Sequence, residues 1–89
     1  MPSMRLRHYA GTAPATGVPV KVSLTRRGEH IKIINDHAVS NLEISFNHGR
    51  NFFPVIPSKS EDFDGALHYF FVRSTDGAAI AWRAVVSEA

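Results

Sequence analysis

Five histidines, His8, His30, His37, His48 and His68, are the side chains of this sequence best suited to hold a metal or move a proton. A zinc site asks for ligands that converge, often as H-x-x-x-H or at alternating strand positions. No two of these histidines have such a spacing, so no metal site is expected and each reads as a turn or strand-surface residue. Glu61, Asp62 and Asp64 form an acidic cluster. It lacks the ligand spacing, the central glycine and the distal glutamate of a calcium loop, and reads as a solvated loop. The serines occupy no nucleophile-elbow context, and the six glycines are scattered singly, so no phosphate loop is present. There is no cysteine, which excludes disulfides, thiolate metal ligands and a cysteine nucleophile. The expectation is a non-enzymatic protein with no catalytic residue, no metal and no cofactor.

Nucleic-acid binding was weighed on the aromatics Phe52, Phe53, Tyr69 and Phe71, with Arg50, Arg73 and Arg83 near them in sequence. Small β-barrels bind single strands with such sets. The competing reading is that aromatics in a chain this short form its core. The formal charge is only +2, and acidic and basic residues alternate along most of the chain. That pattern describes a mixed solvated surface, and no specific nucleic-acid partner is expected.

These residues must be placed by strands. Val18, Val20, Val22 and Leu24 alternate with polar neighbours, the period of a strand with one buried face. Arg26 to Glu29 reads as a turn, and His30–Asn35 as a second strand. Leu42–Asn47 alternates again, followed by a turn at Asn47–Arg50. The next strand, Asn51–Pro57, carries Pro54, which removes a ladder donor and predicts an edge position or a bulge. Glu61–Asp64 is a short strand ended by Gly65, Leu67–Ser74 the most strand-like stretch, and Ala79–Ser87 the closing strand. Asp76-Gly77 between the last two is a strong hairpin signal. No amphipathic helix and no apolar run long enough to span a membrane interrupts them, and no leader sequence is evident. The fold class expected is all-β: a small antiparallel β-sandwich or jelly-roll-like barrel of six to seven strands.

Residues 1–17 carry no such period and read as an extended N-terminal arm or a loose tail, with residues 18–89 as the sandwich domain. Leu67–Val72 is apolar on both faces, with Leu67, Tyr69 and Phe71 pointing one way and Phe70 and Val72 the other. A sandwich needs only one apolar face, so the second is covered either by the N-terminal segment or by another subunit.

The stretches Leu42-Glu43-Ile44-Ser45-Phe46-Asn47, Phe52-Phe53-Pro54-Val55-Ile56-Pro57 and Tyr69-Phe70-Phe71-Val72-Arg73-Ser74, within residues 31–88, resemble small β-sandwich virion proteins of tailed bacteriophages. The likeness is best to capsid decoration (cement) proteins, then to small tail or head–tail connector proteins. It implies a subunit made in the host cytoplasm and located on the capsid surface of the virion. Its partners would be the major capsid protein or other virion proteins, and it would self-associate as a dimer or trimer away from membranes. Arg5, Arg7 and Tyr9 in the arm, with Tyr69 and Phe71 on the second face, are the contact residues expected on this reading. A module binding single-stranded nucleic acid or glycan is the alternative.

Overall fold

Alternating β-branched and aromatic residues favour pleated strands, since each strand can bury one side and solvate the other. In the computed structural model, which describes residues 5–89, six antiparallel strands form. They are β1 (Arg5–Ala13), β2 (Val20–Asn35), β3 (Leu42–Ser45), β4 (Phe53–Val55), β5 (Ser60–Ser74) and β6 (Ile80–Glu88). Hydrogen bonding joins them in one sheet of order β1-β6-β2-β5-β3-β4. The protein is therefore all-β, and the described residues contain no helix.

The two long strands β2 and β5 organise everything else. The C-terminal half of β2 lies between β6 and the first half of β5, whereas the C-terminal half of β5 pairs with β3. Where these halves meet, the ladder is irregular. Ser23 pairs with Tyr69 and Gly28 with Leu67, so residues 24–27 of β2 stand opposite His68 alone. Such bulges increase twist and bend a strand pair. The Arg26–Glu29 segment and Gly65, both expected to end strands, are these irregularities inside continuous strands. The Asp76-Gly77 turn, expected to close a hairpin, instead links β5 to β6, which are not neighbours in the sheet.

Bent in this way, the sheet folds its inner face onto itself. Ile31 and Ile33 of β2, Phe70 and Val72 of β5, Leu42 and Ile44 of β3, and Ile80, Trp82 and Val86 of β6 form one buried core. Phe70 from one half meets Trp82 from the other edge-on, with ring centroids 5.7 Å apart. Asn35 ties the halves by donating through Nδ2 to the carbonyls of Ser40 and Val55, 2.8 Å each.

Residues 5–13, expected in the N-terminal arm, run as β1 along the whole of β6, with Arg5 opposite Glu88 and Ala13 opposite Ile80. Residues 1–4 of that expected arm lie outside the described residues. The inward alternation of β1 is hard to see because its inward positions carry Gly11 and Ala13. A Cβ on Gly11 would sit 2.9 Å from the Trp82 ring, so the indole takes the room a side chain would need. β1 and β4 are the edges of the sheet, and Pro54 stands in β4, where a missing donor costs least.

Candidate functional site

Three phenylalanines converge beside the core: Phe46 and Phe63, half-buried against its edge, and the exposed Phe53. Phe46 follows β3, Phe53 lies on β4, and Phe63 is near the start of β5. Phe46 and Phe63 meet edge-on with centroids 4.8 Å apart at 62°. Phe53 stands 5.9 Å from Phe63 at 49°. With Leu67, His68 and Tyr69 they wall a cleft of about 410 Å³, whose rim includes Asp64, Gly65 and Ala66. Phe53 remains 49% exposed, so the cleft opens to solvent through its ring.

At the rim, Gly65 has φ +137°, a conformation that side-chain-bearing residues rarely adopt, and a Cβ there would stand in open space with nothing within 4 Å. The glycine is needed for the backbone conformation, not for room.

Beside the rim lies a polar constellation on the outer face. His30 faces Asp64 across the β2–β5 ladder. Its Nδ1 is 2.6 Å from Asp64 Oδ1 and its Nε2 is 3.0 Å from Asp62 Oδ1. Ionised carboxylates only accept hydrogen bonds, so both contacts are satisfied together when the imidazole is protonated and both ring nitrogens donate. The hydrogen bond to Asp64, then that to Asp62, raises the His30 pKa above its ordinary 6.5. The acidic cluster read as a solvated loop is therefore part of a strand, and two of its members grip a histidine. Sequence spacing could not show this, because the three residues meet only through the register of β2 on β5.

A second constellation lies next along the ladder, where Glu88 stands opposite Gly28. Glu88, its side chain 1% exposed, accepts hydrogen bonds from the Tyr9 hydroxyl (2.5 Å) and the Thr25 hydroxyl (3.4 Å), and Arg7 Nε lies 3.3 Å from it. Burial of a carboxylate is tolerable when donors surround it. This cluster ties β1, β2 and β6 together and leaves no open space for a ligand.

The residues expected to make contacts fall in three places. Arg7 and Tyr9 are engaged by Glu88, while Arg5 is exposed at the head of β1. Tyr69 and Phe71 stand half-buried on the outer face, with Phe70 and Val72 beneath in the core. The described N-terminal residues 5–13 are paired along β6. His48 packs over both rings, at centroid distances of 5.1 and 6.3 Å, and its Nε2 hydrogen-bonds the Tyr69 hydroxyl. Lys21 covers the other side of Tyr69, 4.6 Å from its ring centre.

Two of the three basic residues expected beside the aromatics are taken up internally, while Arg50 is exposed. Arg73 stacks 3.6 Å over Phe52 and pairs with Glu43, and Arg83 pairs with Asp36 through two hydrogen bonds. The Arg83 guanidinium holds the Asp36 carboxyl below its usual range. No continuous basic stripe borders the aromatics, and the alternative of a nucleic-acid or glycan module has no support in this geometry.

No family model matches the sequence, and no curated protein matches it. Among solved structures, the chain is similar to the crystal structure of the Cupin_2 domain of an XRE family transcriptional regulator from Enterobacter cloacae. The TM-score is 0.63 at 13% identity, over 94% of this chain and 82% of that chain. At that identity the likeness is one of fold, a cupin-type β fold. It overturns the resemblance to phage virion proteins, and with it the decoration, cement, tail and connector roles and the capsid-surface location. The physical reason is that the quoted stretches record strand alternation around turns. That pattern is shared by bent β-sheets of many kinds and does not identify one family.

Proposed function

We propose that this domain is a non-enzymatic binding module that takes a small, mainly apolar molecule in the cleft between Phe46, Phe53 and Phe63. The observation that carries the reading is the cleft itself. Small-molecule sites are concave, span roughly 300–1,000 Å³, and pair apolar walls with a few polar groups. A cleft of about 410 Å³ with three phenylalanines, Leu67, one carboxylate and one imidazole fits that description. Phe53, left 49% exposed, needs a reason, because an 89-residue domain has little apolar surface to spare. The fold neighbour, a domain of a transcriptional regulator, is in keeping with a role in binding.

The test is amide-shift mapping by nuclear magnetic resonance, titrating small benzene derivatives into the folded domain. Binding in the cleft shifts the amides of residues 64–69, and Phe53→Ala weakens it at least several-fold. Shifts confined to the β1–β6 flank, or no saturable shift, would refute the reading.

A further inference from the structure

The chemistry of the lining narrows the ligand class. From the aromatic cleft and the carboxylate at its rim, we infer that the preferred ligand is an organic cation, a substituted ammonium carried on a small apolar body. This rests on the cleft reading above and goes beyond it by assigning charge.

Three features support a cation. The rings of Phe46, Phe53 and Phe63 line the cleft and stand at 62° and 49° to one another, so a ligand there has three π systems beside it in more than one orientation. Ring faces carry negative quadrupolar potential and attract ammonium groups, most strongly where water is excluded. Next, Asp64 is the one carboxylate in the lining, and no lysine or arginine lines the cleft. An anion entering there would meet ring faces and a carboxylate with no lysine or arginine to offset them. Finally, His30 engages Oδ1 of Asp64, while no hydrogen bond among the described residues engages Oδ2. The Asp64 side chain is 90% exposed and can take a second positive partner at little structural cost.

The neighbouring histidine gives this preference a pH signature. With His30 protonated, the group Asp62–His30–Asp64 carries one net negative charge; with His30 neutral it carries two. Lys32 lies on the same face of β2 opposite Asp62, and β6 presents the uncharged Ser87 beside His30. His68 also lines the cleft, so the share of the trend that belongs to His30 is the share that His30→Gln removes. A cation therefore binds more tightly as pH rises through the titration of His30, and its binding lowers the His30 pKa. A neutral ligand of the same shape shows no such trend through His30.

The experiment compares benzyltrimethylammonium, benzyl alcohol and benzoate by the same amide-shift titration at pH 8, on the parent protein and on Asp64→Asn. The expected order is cation, then alcohol, then benzoate, with the cation favoured over the alcohol by about tenfold. Asp64→Asn cuts the cation's affinity several-fold and leaves the alcohol's unchanged. His30→Gln flattens the rise in cation affinity between pH 6 and pH 8. If the alcohol or benzoate binds as tightly as the cation, or if Asp64→Asn leaves the cation's affinity unchanged, the charge assignment is overturned while the cleft stands. If none of the three binds, both readings fail.

Discussion

The two ends of the bent sheet treat aromatic rings in opposite ways. At the closed end, Trp82 and Phe70 are sealed, and β1 gives up a side chain at Gly11 so that the indole fits. At the open end, Phe46, Phe53 and Phe63 gather just as closely, yet the chain leaves room beside them, and a Cβ on Gly65 would stand in open space. A glycine stands at both places, at Gly11 because the space is filled and at Gly65 because the backbone takes a positive φ. Contact between aromatic rings therefore does not by itself mark a core. What separates a core from a site is whether the space beside the rings is filled or left open.

The contrast is broken most severely by Phe70→Ala. That ring is fully buried, and its loss is expected to destabilise the fold by about 3–5 kcal/mol, measured by urea denaturation followed by circular dichroism. Gly11→Ala tests the same end from the other side. The added methyl must displace a buried indole, at a cost of about 1–3 kcal/mol in the same assay. A cost near zero for Gly11→Ala would show that the closed end is looser than its contacts imply. At the open end, Phe53→Ala removes a half-exposed ring, and its stability cost is about 1 kcal/mol or less while ligand binding falls. A stability loss as large as that of Phe70→Ala would make the cleft a part of the core.

The smallest effect is expected at His30. Its folded pKa is raised, so its pairing with Asp64 and Asp62 stabilises the protein fully below the unfolded value near 6.5. That contribution is lost as pH rises through the folded value. His30→Gln should therefore lower the unfolding midpoint at pH 6 and leave it nearly unchanged at pH 9. An equal effect at both values would mean that the histidine acts through packing.

Most strands were legible in the sequence because their inward residues are large: Ile31 and Ile33, Leu42 and Ile44, Trp82 and Val86. β1 was not, since after Tyr9 its inward positions carry only Gly11 and Ala13, the first kept bare by a tryptophan some seventy positions away in the chain. The bends of β2 and β5 were visible as interruptions near Gly28 and Gly65. Read singly they resemble turns, and only their near-alignment across the ladder reveals one corner shared by two strands. The site was the least legible part. Phe46, Phe53 and Phe63 come from three elements, and His30 meets Asp64 only after register is set. The residues expected to contact partners were picked for being exposed or surplus to a sandwich, which says nothing about whether space lies beside them.

Trp82 has one practical consequence. It is the chain's single tryptophan, it is 4% exposed, and it does not line the cleft. Its emission should be that of a dry indole, shift to the red only when the closed end opens, and stay silent as small molecules come and go at the other end. The protein thus carries an optical gauge of its own folding that occupancy of the cleft does not disturb.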